Sequence, residues 1–201
     1  MSTPLAWDNV LIEYVKTVMD ELGLDTFFET GTYQGQTSLY FANRDYKVIT
    51  VEIDKNTYLN NLEKFKGKNI KSFNMSSDVL LFFYASLADA SKTFFYLDAH
   101  GHGYATPERQ GPLKEELECL FTLPKFIVLV HDAQKGIGSG LYRLAARNAA
   151  PECQRDFDRV VLPKDIEVIS PIYDAEGPAY VLLNKGHKLV ASKNFSFDKI
   201  R

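Results

Sequence analysis

Cysteine is scarce: only Cys119 and Cys153 occur in 201 residues. Two isolated cysteines support neither a disulfide framework nor a zinc site. There is no basic excess, since 23 Lys and Arg stand against 26 Asp and Glu for a net charge of −3. A dedicated nucleic-acid partner is thereby excluded, because nothing neutralises phosphates in bulk. No apolar run is long enough to cross a bilayer, so no membrane partner is expected. Met1 to Asp8 lacks the basic-then-apolar layout of a secretory signal, and the expected location is cytoplasmic. Internal repeats and low-complexity stretches are also missing. What remains is ordinary globular composition, 45% hydrophobic and 24% charged. One number stands out. With a single Trp, aromatics still reach 13%, from 14 Phe and 11 Tyr.

Segments of two periods alternate along the chain. Pro4 to Leu22 places Leu5, Leu11, Tyr14, Val15, Val18, Met19 and Leu22 at three- and four-residue spacings, the pattern of an amphipathic helix stopped by Gly23. Short apolar strands are expected at Thr26–Phe28, Lys47–Val51, Ile70–Phe73, Thr93–Leu97, Phe126–Val130, Ile166–Ser170 and Ala179–Leu183. Helices are expected at Thr57–Phe65, Asp78–Ala88, Pro112–Leu120 and Leu141–Ala150. Continuous apolar strands alternating with helices indicate a sheet buried on both faces. The expected fold is α/β and Rossmann-like: a doubly wound, mostly parallel seven-stranded sheet with helices on both faces and an antiparallel C-terminal strand. It forms one domain over residues 1–201, with an N-terminal helix in 1–24, a cofactor-binding core in 25–134 and a C-terminal half of the sheet in 135–201.

Ligands bind such sheets beyond the carboxyl ends of the strands. Polar groups stand at each of those ends: Glu29, Glu52, Ser76 with Ser77, Asp98 and Asp132. The first strand runs into Glu29-Thr30-Gly31-Thr32-Tyr33-Gln34-Gly35-Gln36-Thr37. A dinucleotide site wants G-x-G-x-x-G, yet Tyr33 holds the second glycine's place and obstructs a pyrophosphate. No G-x-x-x-x-G-K-[ST] occurs, which excludes a P-loop. Glu29 would repel a diphosphate but suit an ammonium or sulfonium. Glu52, at the end of the second strand, suits two ribose hydroxyls. A nucleoside with a cationic tail and no phosphates fits both acids, and S-adenosylmethionine is such a molecule.

The run Phe28 to Ser38 resembles the first motif of class I S-adenosylmethionine-dependent methyltransferases, and in particular a branch with Glu-Thr-Gly-Thr-Tyr-x-Gly. The similarity continues through Val51-Glu52-Ile53-Asp54, Phe95-Tyr96-Leu97-Asp98-Ala99-His100, Pro112 to Leu117 and Val130-His131-Asp132-Ala133. This resemblance implies that Glu29, Gly31 and Thr32 line the methionine end of the cofactor, that Tyr33 on the same turn also contacts the cofactor, and that Gly35 lets the following helix pack close. Thr37 would lie near that helix start. Glu52 would hold the ribose, and Ile53 would pack on the adenine. Met75 and Ser76 fall where the family has Gly-Asp-Ser, so the acid is missing here. Met75 would still cover the ring, and Ser76 would reach its edge.

Methyl transfer displaces an already activated leaving group, so alignment dominates, contributing up to roughly 7–11 kcal/mol in model systems. An oxygen or nitrogen acceptor must also lose a proton. Asp98, which also borders the cofactor, is the leading base, and His100 is the second. His131 is read as a hydrogen-bonded structural residue. Acceptor contacts are expected from His100, Tyr104, Arg109 and Asp132, with Gly101–Gly111 as a flap and Gln134–Gly140 as a glycine-rich wall. Similarity to catechol-type O-methyltransferases places acids after the fourth and fifth strands, where Asp98 and Asp132 would hold Mg²⁺. The position after the second acid is Ala133 rather than an amide. The expected activity is O-methylation of a small-molecule acceptor, with a homodimer left open. Its rivals are a nucleotide-linked oxidoreductase and a catalytically inactive cofactor-binding module.

Overall fold

The computed structural model describes residues 9–99, 112–131, 160, 162–169 and 180–189. The chain runs α1 (Asn9–Leu22), β1 (Thr26–Thr30), α2 (Gln36–Ala42), β2 (Lys47–Glu52), α3 (Lys55–Phe65), β3 (Ile70–Asn74) and α4 (Ser77–Ala85). After a 3₁₀ turn at Ala88–Lys92 come β4 (Thr93–Leu97), α5 (Leu113–Phe121), β5 (Phe126–His131), β6 (Glu167–Ile169) and β7 (Tyr180–Lys185). The expected helix at Leu141–Ala150 lies outside the described residues.

The strands form one sheet in the order β3-β2-β1-β4-β5-β7-β6. β1 to β5 pair in parallel, and β7 runs antiparallel to both β5 and β6. The expected doubly wound, mostly parallel sheet with an antiparallel C-terminal strand is the one observed. The chain leaves β1 toward β2 and β3, then returns to β4 on the other side. The crevice between β1 and β4 is therefore the switch point of the sheet, where such folds bind ligands.

The aromatic doublets explain the two-sided core. Successive strand residues point to opposite faces. Phe28 and Phe95 join Leu80, Leu81, Tyr84, Leu117 and Leu120 of α4 and α5 on one face. Phe27, Phe94 and Tyr96 join Tyr14, Val18 and Phe41 of α1 and α2 on the other. The β1–β4 register sets Phe27 beside Phe94 and Phe28 beside Phe95. Phe27 also stacks on Phe41, with ring centroids 3.8 Å apart. Each such ring contributes about 1.5–3 kcal/mol by leaving water. The doublet on α4 is different, for Phe82 and Phe83 are 63% and 62% exposed. Phe27→Ala is accordingly expected to cost about 3–5 kcal/mol and Phe82→Ala within about 0.5 kcal/mol. Urea unfolding of the two variants measures the contrast.

Candidate functional site at the carboxyl edge of the sheet

β1 is longer than its apolar run. It continues through Glu29 and Thr30, both buried. Thr30 and its neighbours carry the first link of the site. The Asp98 N–H donates both to the Thr30 carbonyl at 3.2 Å and to Thr30 Oγ1 at 3.1 Å. Gly31 then adopts φ +78°, and a Cβ there would meet the Asp98 carbonyl oxygen at 2.5 Å. Only glycine combines that dihedral with that approach.

The turn from Gly31 to Gly35 is fastened from below and from the side. Gly31 and Thr32 donate their N–H groups to the Val51 carbonyl. Tyr33 has φ +45°, which an aromatic residue adopts only when neighbours compel it. Its N–H donates to Glu52 Oε2 at 2.9 Å, and its carbonyl accepts from Asn61 Nδ2 at 2.6 Å. The side chain is left 71% exposed. Gly35, at φ +75°, would bring a Cβ within 2.7 Å of the Phe65 ring. The close neighbour there is α3, whereas the sequence pointed to the helix that follows the turn.

Glu52 uses both oxygens, since Oε1 accepts from the Asp54 N–H at 2.9 Å. Asn74 Nδ2 donates to the Glu52 and Ile53 carbonyls and so pins the end of β2 to β3. Ile53 stands 49% exposed beside them.

Glu29 departs from expectation. It is 2% exposed, inside the strand rather than at its end. Its carboxyl accepts from Ser38 Oγ at 2.5 Å and from Thr50 Oγ1 at 3.0 Å, while Thr50 also pairs with Thr32 Oγ1 at 2.6 Å. Thr37, in the first turn of α2, adds a side-chain hydrogen bond. The acid ties β1, β2, α2 and the turn together from beneath instead of facing a ligand. Burial pushes its pKa up to about 8, against the opposing hydrogen bonds. A second shut-in acid, Glu116 of α5, is fully buried next to the Ser77 and Thr30 hydroxyls, and burial raises its pKa to about 7.

Asp98 closes the far side of the crevice. His131 Nδ1 lies 2.5 Å from Oδ1, and the Tyr96 hydroxyl donates to Oδ2 at 3.1 Å. Met75 is half-buried and packs against the core on the α4–α5 side. Ser76 precedes α4 and turns its hydroxyl onto Asp78. Sequence reading therefore located Gly31, Thr32, Tyr33, Glu52 and Asp98, which the fold brings to one edge. It missed Thr30, Thr50, Asn61, Asn74 and Tyr96. Asn61 gives a weak signal, because an asparagine in mid-helix is a poor helix former. His100, Tyr104, Arg109 and Asp132 lie outside the described residues. Among the described residues no group of three metal-ligating side chains occurs, and of the two expected Mg²⁺ ligands only Asp98 is placed, with both oxygens engaged. Among the described residues, no helix is long and apolar enough to cross a membrane.

No protein-family model matches the chain, and no curated protein matches it. Its architecture does match solved structures. An O-methyltransferase from Bacillus cereus, in complex with SAH, is 11% identical with a TM-score of 0.64, over 89% of this chain and 81% of that one. The O-methyltransferase TomG from Streptomyces achromogenes, involved in tomaymycin synthesis and in complex with SAM, is 14% identical with a TM-score of 0.57, over 88% and 79%. At these identities the likeness is one of fold: the chain has the Rossmann-like fold of these methyltransferases.

The buried acids set a pH dependence. Glu29 and Glu116 both hold their protons more tightly folded than unfolded, where 4.5 is their ordinary value. Their contribution to stability is full below about pH 4.5. It declines as pH rises, through about 7 for Glu116 and about 8 for Glu29. Glu29→Gln keeps an acceptor for Ser38 and Thr50 and removes the titration. Relative to the native chain it is expected to gain melting temperature from pH 5 to pH 8, and a difference that does not change with pH would contradict this.

Proposed function

We propose that the chain is an S-adenosylmethionine-dependent methyltransferase that acts on a small-molecule acceptor, with transfer to oxygen. One observation carries the reading. In the fold of SAM- and SAH-bound enzymes, the turn after β1 carries Tyr33 where a diphosphate would need glycine, and that turn is bonded to an acid, Glu52, at the end of β2. The residues fit a nucleoside with an amino-acid tail. The close approach of Gly31 to the Asp98 backbone sets the turn after β1 and the Asp98 carboxylate next to each other, the placement that the two ends of an amino-acid tail would need. Each Glu52 oxygen accepts one backbone N–H and keeps a lone pair for a ribose hydroxyl. Exposed Ile53 offers an apolar surface to the base.

When bound, the cofactor supplies a methyl group already activated on a sulfonium. The chain's own work is then alignment and proton removal. Asp98 stands at the end of β4, beside the place the tail occupies, and the acceptor's proton falls to His100, which follows it in sequence. His100, Tyr104, Arg109 and Asp132 follow the carboxyl ends of β4 and β5 in sequence, and we assign them to the acceptor side.

Isothermal titration with S-adenosylmethionine and with NAD tests the class: binding of the first is expected, and tight NAD binding without it would sink the reading. Glu52→Ala is expected to weaken S-adenosylmethionine by about 1–3 kcal/mol, and unchanged affinity would remove Glu52 from the site. Incubation with methyl-labelled cofactor and metabolite extracts, read by mass spectrometry, is expected to label a small molecule.

A further inference from the structure

Asp98 is held more firmly than a strand-end acid needs to be. Its backbone N–H is taken by Thr30, as described, and each side-chain oxygen has its own donor. Facing a carboxylate, an imidazole in its Nδ1–H tautomer is the donor across the 2.5 Å contact between His131 Nδ1 and Asp98 Oδ1. Leu97 pairs with Val130 across β4 and β5, which sets the next residues, Asp98 and His131, side by side. Tyr96 lies two positions before Asp98, on the same side of the strand. The His131 ring also lies over the Tyr96 ring, with centroids 6.3 Å apart and planes 29° from parallel. The three side chains thus brace one another.

Accessibility separates their roles. The Asp98 side chain is 30% exposed and that of His131 only 11%, with Nε2 wholly buried. Glu29 and Glu116 are shut beneath the sheet edge. Of these three carboxylates, Asp98 is the one open to a ligand.

We propose that His131 and Tyr96 are positioning residues that clamp the Asp98 carboxylate across the β1–β4 crevice, with Nδ1 as the working atom of His131, and that the clamped carboxylate receives the cationic ammonium of the cofactor's amino-acid end. The ligand named here rests on the methyltransferase reading. The clamp itself does not. It assigns His131 a role through Asp98 rather than as a base of its own. Two donors on separate oxygens fix the rotamer of a short acid, and a fixed anion loses less freedom when it takes up a cation.

Two measurements decide it. In protein labelled with ¹⁵N-histidine, at about pH 8 where an ordinary imidazole is neutral, long-range ¹H–¹⁵N spectra report which nitrogen carries the proton. His131, assigned by the signal lost in His131→Asn, is expected to be protonated on Nδ1 and to lose that preference in Asp98→Ala. A proton on Nε2 alone in the native chain would overturn the clamp. The second measurement is titration with SAH, with thermal melting to confirm folding. His131→Asn keeps an N–H donor at the δ position and is expected to bind within about twofold of native. His131→Gln, which keeps only the ε position, is expected to weaken binding about tenfold, and Asp98→Ala at least as much. Tyr96→Phe keeps the ring and is expected to lose less. The reverse order, with Gln retained and Asn lost, would make Nε2 the working atom and refute the assignment. Equal affinity in every variant would refute the ammonium contact. If the native chain does not bind SAH at all, the methyltransferase reading falls, while the tautomer measurement still decides the clamp.

Discussion

The candidate site depends on one close approach, that of Gly31 to the Asp98 carbonyl. β1 and β4 are neighbours in the sheet but come from the two halves of the winding. At their root they press together, with no room for a Cβ. Thr30 secures the contact by accepting the Asp98 N–H on two oxygens. From that junction the turn must rise with a positive φ on one side, while on the other Asp98 points along the edge toward β5 and meets His131. A side chain at position 31 would push the two strand ends apart and, with them, the acids at the ends of β2 and β4.

Holding the junction requires polar groups inside the sheet, and these are costly to bury. Glu29 and Glu116 lie without solvent among residues that are otherwise apolar or hydroxylated. The Thr32, Thr50, Glu29 and Ser38 chain satisfies the first of them. Such a network is rigid when complete and expensive when one member is lost. Its rigidity is transferred to the turn, since Thr32 belongs to both. The aromatic pairs Phe27 with Phe94 and Phe28 with Phe95 lie directly below in the same two strands. They supply apolar burial where the polar network withholds it.

What could be read from the sequence follows from how far each interaction reaches along the chain. β4 was legible to the residue because five apolar or β-branched positions in a row, Thr93 to Leu97, have one natural conformation in a covered sheet. β1 was cut short because its last two residues, Glu29 and Thr30, are polar, and polarity normally marks a strand's end. Their burial depends on Ser38, Thr50 and Asp98, which lie 9, 21 and about 70 positions away. Glu52 was legible because strand, acid and spacing coincide locally, yet its bonds to Tyr33 and Asp54 were not. His131 was read as hydrogen-bonded, and it is, but its partner follows from strand order alone: nothing local says that β5 lies beside β4.

Tyr33 shows why the remaining gap matters. A left-handed backbone at a residue with a Cβ costs about 1–2 kcal/mol, and glycine at position 33 would avoid it. The bonds from Glu52 and Asn61 hold the backbone there whatever the side chain is, so the aromatic ring contributes nothing to forming the turn. Nor does it contribute to the core, being 71% exposed beside the same crevice that Asp98 borders. Its place is therefore set neither by the folding of the turn nor by the core. The excess of aromatics therefore divides by burial: the β1 and β4 doublets make the sheet, and Tyr33 stands exposed on the turn after β1.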